Sequence, residues 1–587
     1  MNSDNRLIKK MFRGILLINT MSILSGVACL MIDAIITGQF LGVDAVTASG
    51  LVRPIVMITN LIGDLSGLGV GIVCARYMGM AKPQRANQVF SIVVISTLAV
   101  GLLMTGAMYI FAPGISNLLG AKTENTAILN MMTDYMRGYS LGLVPMRFVV
   151  MLLGIMMLDN DKNRGVIAMA SILVADIAFD LLSVLVFDGG MYGMALASSA
   201  SNLVGFLVIM MHFFKKNRLL HFTFKGLKMS DMKDVFLAGV PSAITMGSQA
   251  LKGLCFNILL ISIAGESAVA ALTVGMSSFV IVSSVTVGIF NSTSVLTSLL
   301  YGEEDRLSLK KAFGVAVKYA FICYSVMMVF VLIFAYPLAT LFLNTTDTSI
   351  LNQSAAFIRF MGIQNLFMIF SFPLSGAYQG TRKLSLNYTI DIMREAVFPI
   401  ACVTLLGLLI GINAVGYGFI AAGFFTLLLC ILIPTIKQKR IPKNTMDFLL
   451  IPEGFGAKPE ETFETTMRTL DDVMSTCEKV SAFVSERGAD SKTSNLITLF
   501  VEEMGTNITT HGYAKGKSGS SDLKIIYRKD SCVMRFRDDG KSFNPLEWIK
   551  TNADDVESGI GIKMLVGLAK DVKYYRAMEL NNLVIFL

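Results

Sequence analysis

Ile436-Lys-Gln-Lys-Arg-Ile-Pro-Lys-Asn444 is the stretch at which this 587-residue chain changes character. Before it, apolar residues come in blocks of about 20 or more, the length at which a helix crosses the hydrocarbon core of a bilayer. After it, charged residues are spread throughout, and apolar runs shorten to the length of strands and amphipathic helices. The stretch holds four basic residues and no acid. Basic residues flanking a span stay on the cytoplasmic side. The last span is therefore expected to end in the cytoplasm, with the remainder of the chain where ATP is available.

Working back from that point, the length criterion gives twelve spans between residues 14 and 436. Loops at the N-terminus (Arg6, Lys9, Lys10, Arg13), 76–88, 159–164, 214–233, 301–311 and 378–383 all carry Lys and Arg, while the intervening ones, such as Gly42-Val-Asp-Ala45 and Asp188-Gly-Gly190, are short and nearly free of them. This alternation places both termini in the cytoplasm. Hydrophobic residues make up 54% of the chain and mean hydropathy is +0.63, which excludes an ordinary soluble protein. The net charge of +8 is uneven: residues 445–587 carry 18 Lys and Arg against 22 Asp and Glu, so the basic excess lies in the membrane part. There it reports loop orientation, and no nucleic-acid partner is expected. The eight cysteines form no CxxC pair, so neither a disulfide framework nor a zinc site is expected. The N-terminus runs into an uncleaved first span.

Tyr77-Met-Gly-Met-Ala-Lys-Pro-Gln-Arg-Ala-Asn-Gln-Val-Phe90 is echoed by Tyr301-Gly-Glu-Glu-Asp-Arg-Leu-Ser-Leu-Lys-Lys-Ala-Phe313. Two six-span lobes with the same orientation are a transporter architecture with the substrate path between them. The reading divides the chain into residues 1–213 and 214–437 as the two lobes, 438–450 as a basic linker, and 451–587 as a soluble domain. Carboxylates within spans cost roughly 2.5–3.5 kcal/mol on insertion scales, so each needs a reason. Asp33 lies in the first span, and Asp176 and Asp180 share one face of the fifth. Two neighbouring carboxylates repel when both are ionised, so one should bind a proton or share a cation. In the second lobe, Asp391, Arg394 and Glu395 sit at pairing distance and read as a structural ion cluster.

Met31-Ile-Asp-Ala-Ile-Ile-Thr-Gly-Gln-Phe-Leu-Gly42, the Arg76–Ala86 loop, Asp176-Ile-Ala-Phe-Asp-Leu-Leu182 and Gly193-Met-Ala-Leu-Ala-Ser198 together resemble the multidrug and toxic compound extrusion (MATE) family over residues 10–437. The resemblance implies a bacterial inner-membrane antiporter that exports organic or drug-like compounds against H⁺ or Na⁺. It also implies that Asp33 and Asp180 belong to the cation-binding cluster. Asp176 stands where many relatives have Asn, which adds a titratable group.

In the tail, helical patterns cover 470–487 and 491–510, and strand-like runs lie at 523–527, 532–536, 572–575 and 583–586, with a helix near 560–570 between them. This is the pattern of one α/β sandwich. Glu503-Met-Gly-Thr-Asn507, Asp538-Asp-Gly540 and Gly559-Ile-Gly561 follow in an order that resembles the Bergerat-type (GHKL) ATPases, closest to the anti-sigma-factor serine-kinase branch. The resemblance implies that Asn507 holds Mg²⁺ on ATP and that Glu503 is the general base. Asp538 would accept from the adenine amino group with room made by Gly540, and Gly559 and Gly561 would cover the phosphates. A small antagonist-type protein is the implied partner. Lys541 and Ser542 depart from the family pattern, so binding is better supported than kinase activity. A flippase for a lipid-linked intermediate and a transporter-shaped sensor are the alternative readings. The tail, of net charge −4, is expected to dock against the loops at 214–233 and 301–311.

Overall fold

The computed structural model describes residues 6–119, 126–156, 158–159, 161–215, 218–264, 266–342, 347–513, 519–528, 531–552 and 560–587. The apolar blocks become long helices. The first half holds α1 (Arg6–Ile36), α2 (Val43–Gly79), α3 (Pro83–Leu119), α4 (Thr126–Ser140), α5 (Leu143–Met156), α6 (Lys162–Leu185) and α7 (Gly190–Met210). The second holds α8 (Ser230–Ala264), α9 (Glu266–Gly302), α10 (Arg306–Phe342), α11 (Thr348–Met368), α12 (Ser371–Gly380), α13 (Leu384–Ile392), α14 (Phe398–Ile410) and α15 (Ile412–Gln438).

Eight helices among the described residues are long and apolar enough to cross a membrane, or ten when the bent pairs α4–α5 and α11–α12 each count as one span. The pairs bend by 50° and 49°. Together with α2 and α9, each 37 residues long, they fill the places of the twelve expected spans. Between α13 and α14 the helix widens to a π-turn at Met393–Val397, a local irregularity that turns Arg394 inward. Arg394 there pairs with Asp391 at 2.8 Å and Glu395 at 3.0 Å, and Lys252 reaches Glu395 at 3.5 Å, so these four charges form one ion cluster.

The internal repeat has a structural register. α2 and α9 end at Gly79 and Gly302, each followed two residues later by a left-handed residue, Ala81 and Glu304, both at φ 53°. Pro83 and Arg306 then begin the next helices, and Phe90 matches Phe313. Glycine is required at both helix ends: a Cβ on Gly79 would collide with the Leu299 carbonyl, and one on Gly302 with the Arg76 carbonyl. The two halves thus meet backbone to backbone at this end. Contacts between them continue through Ser298 Oγ, which donates to the Ile72 carbonyl at 2.8 Å, and Asn19, which donates to Ser292 at 3.3 Å.

Residues 438–450 fold onto the second half. Asn444 caps α16 (Thr445–Leu449) in a reciprocal capping box with Asp447, and Met446, Leu449 and Ile451 pack with Phe313, Leu374 and Tyr378. Beyond lies an antiparallel sheet of β1 (Thr462–Met467), β2 (Ser521–Arg528), β3 (Ser531–Asp538), β4 (Asp571–Ala577) and β5 (Leu580–Phe586), in the order β1-β2-β3-β5-β4. Its inner face (Phe463, Leu523, Ile525, Met534, Phe536, Ile585) packs on α17 (Leu470–Ser485), α18 (Ser491–His511) and α20 (Ile560–Leu568), while α19 (Pro545–Thr551) lies beside α20. Asp490 caps α18 by accepting from the Thr493 amide, which fixes where that helix starts.

The outer face of the sheet is basic and meets the membrane region. Lys524 and Arg535 both bind Asp305, each at 2.8 Å, and Arg535 reaches Glu303 at 2.6 Å. Arg537 also pairs with Glu303. Contact with the 301–311 loop is therefore made by acids of the loop and bases of the tail, the reverse of the polarity that net charges suggested. Burial pushes the Asp305 carboxyl up, but Lys524 and Arg535 more than offset this and hold it well below the usual carboxylate range.

Candidate functional site

Two sites can be built from these elements. In the first half, α1 carries Asp33, and α6 carries Asp176 and Asp180 one turn apart. Packing of α1 and α7 on α6 brings the three carboxylates together, with one oxygen of each within 4.8 Å of the others. The small residues Ala197-Ser-Ser-Ala-Ser201 allow α7 to approach closely and supply hydroxyls. Ser201 donates to Asp176 at 2.8 Å, and Ser198 to Asp33 at 3.4 Å. Asp180 is fully buried, and among the described residues neither of its oxygens has a hydrogen-bond partner; Asp33 Oδ1 is likewise buried without one. Three carboxylates this close repel one another, and unpartnered buried oxygens are costly. A proton or a small cation among them relieves both penalties, so the residues present fit such an occupant. Ser198 and Ser201 were not singled out from sequence. The run of small residues and hydroxyls at 197–201 in an otherwise apolar helix is the signal that could have found them.

Arg147 is committed elsewhere. It is buried and donates to the Thr59 carbonyl and to Asn60 Oδ1, both at 2.8 Å, so it braces α2. Lys252 is engaged with Glu395. Arg147 and Lys252, cations that a lipid-headgroup path could have used, are thus engaged within the helices.

In the C-terminal domain, Glu503 and Asn507 lie one turn apart on α18, with the Asn507 amide donating to Glu503 Oε1 at 3.4 Å. Gly561, in the first turn of α20, sits directly against Glu503, where any Cβ would collide with its carboxylate. Asp538 ends β3 and is 5% exposed; its Oδ1 accepts from the Gly540 amide and from Asn581, each at 2.8 Å. Burial pushes the Asp538 carboxyl above its ordinary range, and the bonds from Asn581 and Gly540 pull it part of the way back. A Cβ on Gly540 would come within 2.7 Å of the Gly512 carbonyl, so the turn needs glycine. The helix of Glu503 and Asn507, the strand end at Asp538 and the start of α20 therefore border one another. Gly559 lies outside the described residues. Asn581, which faces Asp538 across the β3–β5 ladder, was missed from sequence; two asparagines in the otherwise apolar run Leu580-Asn-Asn-Leu-Val-Ile-Phe586 are its signal.

These residues fit a magnesium nucleotide: a buried carboxylate for an amino donor, an amide oxygen for a metal, and glycines where a phosphate chain needs close approach. Bound there, the nucleotide would supply a transferable phosphoryl group.

Comparison with known proteins matches both parts of the chain. The MatE family profile covers residues 20–182 and 241–398, and the histidine kinase-like ATPase domain profile covers 467–586. The chain is 22% identical over 383 residues to the multidrug export protein MepA of Staphylococcus haemolyticus, covering 64% of this chain and 82% of that one. It is 21% identical over 409 residues to MepA of Staphylococcus aureus, covering 69% and 88%. Among solved structures, an outward-facing multidrug resistance MATE family transporter superposes with a TM-score of 0.69 at 21% identity, over 75% of this chain and 99% of that one. A MOP superfamily transporter from Pyrococcus furiosus gives 0.63 at 22% identity, over 73% and 97%. With the first profile spanning more than half of the sequence, the chain belongs to the MatE family of membrane transporters and carries a C-terminal histidine kinase-like ATPase domain.

Proposed function

We propose that this protein exports organic, drug-like compounds, driven by the entry of H⁺ or Na⁺ through the Asp33–Asp176–Asp180 site. The observation that carries this reading is the cluster of three carboxylates in the first half, in which Asp33 Oδ1 and both oxygens of Asp180 are buried with no partner among the described residues. Such a site holds a cation in one state of the transporter and must give it up in another, which is what coupling requires. The relatives named as multidrug export proteins support the substrate class. The C-terminal domain binds Mg-ATP through Asn507, Asp538, Gly540, Gly559 and Gly561, with Glu503 as base. It acts as a regulator, and phosphorylation of a small protein partner on serine is its kinase reading. In this proposal the ATPase domain and both termini are cytoplasmic.

The test is flux. Purified protein in liposomes is expected to drive a fluorescent organic cation across the membrane when a proton or sodium gradient is imposed. Absence of flux under both gradients would remove the exporter reading. Orientation is tested separately. A cysteine at Asp188, exposed in the α6–α7 turn, is expected to react with an impermeant maleimide added outside intact cells, whereas one at the exposed Arg382 is not. The opposite pattern would place the ATPase domain outside.

A further inference from the structure

The outer face of the C-terminal sheet holds a six-residue ionic network that neither ion coupling nor nucleotide binding uses. Glu303, Asp305 and Glu464 stand against Lys524, Arg535 and Arg537, three charges of each sign. Their side chains range from 1% to 13% exposed, so the network is desolvated. Tyr575 adds a hydroxyl donated to Glu303 at 3.3 Å. Glu303 and Asp305 come from the loop between α9 and α10, where the left-handed turn at Glu304 directs both acids onto the sheet.

The repeat-related loop of the first half meets the same face by a different chemistry. Ala81, the counterpart of Glu304, packs among Tyr575, Ala577 and Val584. At the tip of the β4–β5 hairpin, Met578 and Leu580 are buried in the cluster that contains Leu7, Met11 and Leu220. Lys10, near the start of α1, pairs with Asp539 at 3.1 Å, next to the nucleotide-site residue Asp538. One sheet thus grips both halves of the transporter, at the end where Gly79 and Gly302 bring them into backbone contact.

We propose that this sheet face is a clamp that holds the two halves shut at the end facing the ATPase domain, so that opening there requires the grip on the Glu303–Asp305 loop to be released. The proposal deepens the regulatory reading above and rests on it. The chemistry suits a reversible grip. Ions that are paired when buried regain full hydration when the surfaces part, so a buried ionic contact fixes a register without adding much net stability. Removing one side alone leaves uncompensated buried charge and favours the open arrangement. Because Asp539 links Lys10 to the strand end at Asp538, occupancy of the nucleotide site and the grip are coupled, and any such coupling is reciprocal.

The test uses the full chain with Ser298→Cys, a near-isosteric change at a fully buried position between the halves. Reaction of that thiol with N-ethylmaleimide is followed by peptide mass spectrometry, so the native cysteines need not be removed. It is expected to be slow in the otherwise unaltered chain. Adding Glu303→Gln with Asp305→Asn should speed it roughly tenfold, inside the roughly 5–150-fold range of ordinary allosteric coupling. Arg535→Leu alone should also speed it, and combining all three changes should add little, because the two sides remove one interaction. An effect produced by misfolding would instead accumulate, and additive effects would overturn the clamp. So would rates that stay within about twofold of the parent, or fast labelling in the parent itself. No transported compound is needed, so a failed flux assay counts against the exporter reading while labelling still decides the clamp.

Discussion

Asp33→Asn and Asp180→Asn are each expected to reduce gradient-driven export to the level of protein-free liposomes while leaving the amount of folded protein unchanged. Asparagine keeps the size and shape of the side chain but can neither release a proton nor offer a charge to sodium. Nothing in the packing argues for a loss of fold. Among the described residues, Asp180 Oδ1 and Oδ2 have no hydrogen-bond partner to lose, and Asp33 accepts a long bond from Ser198. Replacing a repelling carboxylate among three removes an unfavourable interaction. Asp391→Asn is the matched control. Asp391 accepts from Ser375 and Arg394, both at 2.8 Å, and Arg394 keeps Glu395 as a partner when the charge is removed. That variant should retain most of its transport. Flux of an organic cation in liposomes under an imposed gradient, with size-exclusion profiles as the check on folding, decides the matter. Full transport by the Asp33 and Asp180 variants would leave ion coupling without its site.

Part of this site is readable in one dimension and part is not. Asp176 and Asp180 share a helix face by spacing alone, so their pairing needed no structure. Asp33 lies far away in sequence, and its place beside them came from the family resemblance; Ser198 and Ser201 depend on how α7 packs. The long helices were legible because apolar length is a one-dimensional property, whereas the bends after Ser140 and Met368 are set by neighbours. In the tail, alternation marks Leu523, Ile525 and Tyr527 as the inner face and Lys524 as the outer. β1, Thr-Phe-Glu-Thr-Thr-Met, escaped notice because an edge strand rich in Thr and Glu has few apolar residues to alternate. The clamp was hidden for a different reason. Net charge averages over a whole domain, but binding depends on the few groups that touch, and an acidic domain presents a basic face to the acidic turn of a loop that also carries Lys and Arg.

Asn507→Ala is expected to weaken Mg-ATP binding by at least ~100-fold, about 2.7 kcal/mol at 1.36 kcal/mol per factor of ten, while export in nucleotide-free vesicles stays within about twofold of the parent. Asn507 projects from α18 one turn beyond Glu503, and its amide nitrogen is turned to Glu503 Oε1. Its carbonyl oxygen is then the atom left to face a metal, and the methyl of alanine replaces neither function. The helix itself tolerates the change, because alanine is the best helix former and Asn507 is only partly buried. Titration calorimetry with Mg-ATP reads the first half of the expectation, and gradient-driven flux without nucleotide reads the second. The separation follows from where the energy enters. The chain has no GxxxxGK[ST] segment of the kind that powers ATP-driven pumps. In the proposed function the carboxylate cluster takes the coupling ion, and among the described residues the ATPase domain meets the membrane helices near Lys10, Ala81, Glu303 and Asp305, at the end where Gly79 and Gly302 pack. If instead export needs ATP in sealed vesicles without any gradient, and Asn507→Ala stops it, the nucleotide drives the transporter and the carboxylates serve another purpose.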